Sequence, residues 1–264
     1  MNLKLDNKLA IVTGSTAGIG KAIAAALVAE GARVVINGRS REKVAEVAAE
    51  LGGEGTAYGI AADLATAEGA ASLVAKAGKF GPVDILVNNF GIFEPKPFEE
   101  ITDEDWQRFF NANVLSAIRC SRAVMAKMRE RGWGRILFVS SESGINIPVE
   151  MVHYGMTKTA LLAVSRGLAK TLAGSGVTVN ALLPGPTWTE GVATFVEQLA
   201  NDRGISVEEC KADFFKKARP SSLIRRFATP EEVAAHAVYL CSAQAAATTG
   251  AAHRVDGGVV DSCF

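Results

Sequence analysis

Tyr154 and Lys158 stand four residues apart, a spacing that puts both on one face of a helix. A free phenol titrates near about 10 and shuttles protons poorly at neutral pH. A neighbouring ammonium favours the phenolate and draws that value down, towards the range where acid–base catalysis works. The pair alone is weak, because Tyr-x-x-x-Lys is also what an interfacial tyrosine and a surface lysine look like. A hydroxyl strengthens it. The apolar run Ile136–Val139 leads straight into Ser140-Ser141-Glu142-Ser143-Gly144, and Ser141 precedes Tyr154 by thirteen residues. A strand that ends in a hydroxyl, followed by a helix bearing a phenol and an ammonium, suits proton transfer to or from an oxygen.

A second constellation suits an anion. Thr13-Gly14-Ser15-Thr16-Ala17-Gly18-Ile19-Gly20 follows an apolar run and opens a helical pattern. Gly14 permits a tight turn, Gly18 a close backbone approach to a pyrophosphate, and Gly20 tight helix–strand contact. The helix start adds unpaired N–H groups and partial positive charge. In NAD enzymes an acid about 20 residues further on binds the ribose 2′-hydroxyl. This chain instead reads Asn37-Gly38-Arg39-Ser40-Arg41. With no acid at that tip, Arg39 and Arg41 are suited to a 2′-phosphate, so NADP(H) is expected in preference to NAD(H).

The elements that must position these groups alternate. Short apolar runs at Leu9–Thr13, Arg33–Asn37, Thr56–Ala62, Asp84–Asn88, Arg135–Ser140, Thr178–Leu183 and Ala251–Val255 are separated by helical patterns. That alternation predicts α/β architecture, a Rossmann-like, doubly wound parallel sheet of about seven strands covered by helices on both faces. Long helical patterns span Asp103–Arg131 and Val152–Leu172, and Thr229-Pro230-Glu231-Glu232 reads as a capping box with proline at the first helical position. Residues 190–226 exceed an ordinary connection and read as a helical insertion, with Glu197–Ala200 and Val207–Lys217 as its helices. Loops after strand C-termini border the ligand crevice in this class, so the insertion is expected to be a substrate lid on a single dinucleotide-binding domain of residues 1–264.

Of 264 residues, 28 are Lys or Arg and 28 are Asp or Glu; this balance gives no electrostatic motive for binding nucleic acid or an anionic membrane. No secretory signal or membrane span is legible. Four scattered cysteines and three histidines offer no metal motif, and free thiols in a cytoplasmic protein are the expectation.

Taken in order, Thr13–Gly20, Asp63-Leu64, Asn88-Asn89-Phe90-Gly91, Asn113-Val114, Ser141, Tyr154-x-x-x-Lys158 and Pro184-Gly185-x-x-x-Thr189 resemble the short-chain dehydrogenase/reductase family in its compact form, over nearly the whole chain. The resemblance implies a catalytic set of Asn113, Ser141, Tyr154 and Lys158. Tyr154 would exchange the proton, Ser141 orient the substrate oxygen, Lys158 hold the nicotinamide ribose and tune Tyr154, and Asn113 anchor a relay water. It implies cofactor contacts from Gly14, Ser15, Thr16, Gly18, Ile19, Gly20, Asp63, Leu64, Asn89, Gly91, Pro184, Gly185, Thr187 and Thr189, besides Arg39. Three departures stand out: Phe90 for the usual alanine, Ala17 where NADP-using members often carry a base, and Thr187 for an aliphatic residue.

Substrate contacts are expected from Phe93, Ser141, Met151 and Trp188, with Glu142 or Glu150 available to pair with a substrate amine. His153 is expected at the surface or an interface. The leading expectation is NADPH-dependent reduction of a ketone to a secondary alcohol. The alternatives are an NAD-dependent alcohol dehydrogenase, a reductase of carrier-bound 3-oxoacyl groups docked by Arg129 and Arg131 (Ser175 stands where such reductases often carry arginine), and a non-catalytic nucleotide-binding regulator. By resemblance the two long helices pair subunits into a homotetramer or dimer, with Ala160, Ala163 and Ala169 permitting close approach.

Overall fold

The computed structural model describes residues 2–263. Seven strands form one parallel sheet: β1 (Leu9–Val12), β2 (Arg33–Gly38), β3 (Ala57–Ala61), β4 (Val83–Asn88), β5 (Gly134–Val139), β6 (Val177–Pro184) and β7 (Ala252–Val255). Their order is β3-β2-β1-β4-β5-β6-β7. The order reverses between β1 and β4, which opens a crevice at their C-terminal ends.

Alternation along each strand divides the core in two. Ala10, Val12, Val34, Ile36, Ile85, Val87, Leu137 and Val139 face one layer. Leu9, Ile11, Val35, Leu86, Ile136, Phe138 and Val179 face the other. The first face is covered by α1 (Gly18–Ala29), α2 (Arg41–Glu50) and α9 (Pro230–Cys241); the second by α3 (Ala67–Ala77), α5 (Ser116–Glu130) and α6 (Val152–Thr171). Both faces of the strands are buried, so their sequences run nearly continuously apolar. Thr229 caps α9 in a reciprocal box with Glu232, with proline at its start.

The expected helix Asp103–Arg131 is not one α-helix. It comprises α4 (Asp103–Phe110), a π turn at Asn111–Leu115, and α5. The turn admits one extra residue and redirects Asn113, a use to which π bulges are often put. The insertion contains α7 (Glu190–Arg203), much longer than Glu197–Ala200 because Thr189 caps it early, and α8 (Val207–Asp213), continued by a second π turn at Phe214–Ala218. Gly204, with φ of 63°, closes α7 in the left-handed conformation that favours glycine.

The alanine face on α6 also needs correction. Ala163 is exposed and Ala160 half-buried, but Ala169 lies in the core. Nine residues at about 100° each put Ala169 opposite Ala160 on the helix. The four cysteines are free thiols, with Cys120, Cys210 and Cys241 buried and Cys263 exposed. No helix among the described residues is long and apolar enough to cross a membrane.

Candidate active site

The loop between β1 and α1 is built from inside. Ser15 is fully buried; its hydroxyl donates to Val12 O at 2.7 Å and accepts from Asn37 N at 3.0 Å. Asn37 Oδ1 accepts from Gly14 N at 3.3 Å, and its amide donates to Ile60 O and Ala62 O. From the other side Asn89 Nδ2 donates to Thr13 O and Gly14 O, each at 3.0 Å. Ser15 and Asn89 therefore spend their side chains bracing the loop, with Asn89 still on the cavity wall. Gly20 has no room for a Cβ, which would lie 2.4 Å from Gly14 O.

What the bracing leaves free is the start of α1. Its cap, Ala17, has no side-chain acceptor, and the first turn has no acid. By contrast α2, α3, α4, α7, α8 and α9 each begin with a Ser or Thr hydroxyl accepting a backbone N–H. Bare N–H groups with a glycine-lined approach are the donor set a pyrophosphate requires, so the residues present fit a dinucleotide. At the β2 tip a Cβ on Gly38 would lie 2.7 Å from Thr16 Cγ2. Arg39 and Arg41 are exposed, and Asp63, also exposed, turns its carboxylate to Ala65 N at 3.1 Å.

A cavity of about 800 Å³ opens in front of this loop. Gly18, Ile19, Gly20, Asn89 and Gly91 line one side; Pro184, Gly185, Thr187 and Thr189 line another. Ser141, Glu142, Tyr154 and Lys158 line it too, as do Phe93, Glu150 and Met151. The two neighbouring serine hydroxyls are engaged differently. Ser140 Oγ donates to Lys158 O at 2.7 Å and is buried, a structural tie between β5 and α6. Ser141 Oγ accepts from Ser143 N at 3.1 Å and lies near the Tyr154 phenol.

The charges differ from expectation. Desolvation pushes Tyr154 up to about 12, the nearby Ser141 hydroxyl only partly opposing this. Burial also brings Lys158 down to about 8. Lys158 Nζ donates to Val139 O at 3.0 Å and lies 5.5 Å from the centre of the Tyr154 ring. Its ammonium is engaged by that carbonyl, and desolvation dominates the Tyr154 value. Asn113, presented by the π turn, accepts from Ile92 N at 2.7 Å and donates to Ile92 O and Thr157 Oγ1. It thereby ties the loop after β4 to α6.

Two expected contacts fall elsewhere. Trp188 leaves the cavity: its neighbour Thr187 pairs with Ala228 in extended conformation, so successive side chains point to opposite sides. The indole packs on Phe227, with Lys211 Nζ 4.0 Å above it. Leu64 is 2% exposed in the second core, leaving only its backbone to face a ligand. Glu142 is already paired with Arg219 at 2.8 Å, whereas the partly exposed Glu150 has only a looser 3.6 Å contact with the same guanidinium. Phe90 packs against the second core rather than lining the cavity. His153, expected near the surface, is fully buried between Phe109 and Trp106, with neither ring nitrogen partnered and its pKa lowered by burial.

With this geometry in hand, comparison with known proteins is decisive. Residues 8–200 match the short chain dehydrogenase family. The chain is a short-chain dehydrogenase. Over 262 residues it is 48% identical to the uncharacterized oxidoreductase YvrD of Bacillus subtilis, covering 99% of this chain and all of that one. A D-beta-hydroxybutyrate dehydrogenase of Cupriavidus necator is 36% identical over 258 residues, covering 97% and 99%. Among solved structures, L-sorbose reductase from Gluconobacter frateurii, complexed with NADPH and L-sorbose, superposes with a TM-score of 0.94 at 33% identity, covering 99% and 100%. This short-chain dehydrogenase is accordingly an NAD(P)-dependent oxidoreductase acting on CH–OH or C=O groups.

Proposed function

We propose that the chain reduces a ketone to a secondary alcohol with NADPH, reversibly, with Tyr154 as proton donor in reduction and acceptor in oxidation. The observation that carries this reading is a protonated phenol beside Ser141 on the lining of a cavity that the start of α1 also lines. When bound, the nicotinamide supplies the hydride to the carbonyl carbon. Ser141 orients the substrate oxygen. Tyr154, held near 12, stays protonated through the physiological range, yet is acidic enough to protonate an alkoxide. Lys158 would hold the ribose hydroxyls beside it, and Asn113 would steady the proton path behind Lys158. Gly14, Thr16, Gly18 and Ile19 would hold the pyrophosphate, Asp63 and the Leu64 backbone the adenine side, and Thr189 the carboxamide.

For NADPH over NADH the support is local. Thr16 fills the space a side chain at position 38 would need, no acid stands at the β2 tip, and Arg39 is exposed beside it. The L-sorbose reductase complex contains NADPH. Residues 190–226 serve as the lid of this one domain, and the outer faces of α4, α5 and α6 pair subunits into a tetramer.

Tyr154→Phe tests the core of the proposal: kcat falls by about 10²–10⁴-fold while the fold is kept, read by NADPH oxidation with a ketone panel. Unchanged turnover would end the reading. Arg39→Ala should lower kcat/KM for NADPH by about ten-fold or more and leave NADH nearly untouched; an equal loss with both would transfer the preference elsewhere.

A further inference from the structure

One charged cluster on the cavity wall has no part in this proton chemistry. Glu142 follows Ser141 directly, and its side chain is 4% exposed. Its Oε1 accepts from Arg219 Nε at 2.8 Å and from Ser143 Oγ at 3.1 Å. Its Oε2 is enclosed and has no donor among the described residues. A buried carboxylate oxygen without a donor is costly, and the cost ends when a donor arrives. Arg219 reaches in from the end of the lid segment, donates Nη1 to Ala218 O at 2.9 Å, and stands 3.6 Å from Glu150. Both Glu142 and Arg219 line the cavity.

The chemistry that fits is narrow. Two carboxylates around one guanidinium give this cluster a negative excess, which opposes an anion seated against it, while Arg203 and Lys217 elsewhere on the lining are engaged by Asp213. An ammonium would meet Arg219 already seated on Glu142. A neutral hydroxyl brings no charge of its own and can donate to Oε2 beside the guanidinium once a small shift of the Glu142 side chain uncovers that oxygen. Glu142 lines the same cavity as Ser141 and Tyr154, so a hydroxyl bound to it sits in the chamber that holds the reacting carbon. Further out, Val192, Phe195, Leu199, Phe214 and Phe227 make the wall apolar.

We propose that Glu142, held by Arg219, is a specificity residue selecting ketones that carry a hydroxyl beside the carbonyl and an apolar substituent beyond it, and vicinal diols in the reverse direction. This rests on the ketone-reductase reading above. The test compares α-hydroxyacetophenone with α-methoxyacetophenone, which keeps the electron-withdrawing oxygen but has no proton to donate, using the full chain and NADPH. The hydroxyketone should be favoured in kcat/KM by about ten-fold or more, chiefly through KM. Glu142→Gln should collapse that ratio towards unity. If that variant does not fold, Glu142→Gln combined with Arg219→Met, which leaves no unpaired buried charge, reads the same ratio. Equal efficiency with both ketones, or a ratio that survives in a folded variant, overturns the inference while leaving ketone reduction intact. Oxidation of NADPH by neither ketone overturns it together with the reading on which it rests.

Discussion

Lys158 shows how a residue needed for chemistry weakens the fold that holds it. Its ordinary value is 10.5 and burial lowers it to about 8. Below pH 8 the lysine is charged in both folded and unfolded chains, and the folded state bears the desolvation cost. Between pH 8 and 10.5 the unfolded chain keeps a proton the native state has lost, so this contribution to stability rises with pH. Lys158→Met should therefore be inactive yet more stable at pH 7, by on the order of 1–2 kcal/mol after the lost Val139 hydrogen bond is subtracted. That advantage should fade between pH 8 and 10.5. Urea titrations across this range check it; a variant less stable at pH 7 would contradict it. The Tyr154–Lys158 spacing was legible in the sequence because helical periodicity alone brings i and i+4 together. The direction of the Tyr154 shift was not, since it depends on how deeply α6 is buried and where Nζ finds its acceptor.

The element that most rewards attention is the π turn between α4 and α5. Periodicity predicts one helix there, because a single extra residue per turn hardly disturbs an apolar stripe. In three dimensions it delivers Asn113 to Ile92 and Thr157, joining three segments through one amide. Asn113→Ala should strand the Ile92 N–H and C=O and cost about 2–3 kcal/mol of stability, measured by chemical denaturation, besides lowering kcat. A loss below about 0.5 kcal/mol would mean that the loop after β4 is held by other contacts. The insertion behaves in the same way. Its two helices could be expected from their caps, but Arg219 lies 77 residues from Glu142, and no local pattern announces a partner at that separation. Asn37 was more accessible: a polar residue ending a buried strand opposite a glycine loop has to bond something.

At the level of the whole molecule, the order of strands and the division of the core follow from near-continuous apolar runs, right-handed crossovers and alternation, so the architecture could be read in advance. Trp188 and His153 could not, because each is an aromatic residue beside functional ones, and only the packing of distant segments decides which way the ring turns. One feature of that architecture reaches beyond catalysis. Six helices satisfy their first amides with their own hydroxyls, whereas α1 begins at Ala17 with none. The start of α1 is thus built to take an outside anion, and heat resistance becomes a gauge of dinucleotide supply. At a hundred times its dissociation constant NADP⁺ should add roughly 2.7 kcal/mol to the unfolding free energy, seen in calorimetry as a melting point that climbs with the logarithm of ligand. Replacing Ala17 with Asp, which caps the helix internally and repels phosphate, should raise the melting point of the free protein and flatten that climb.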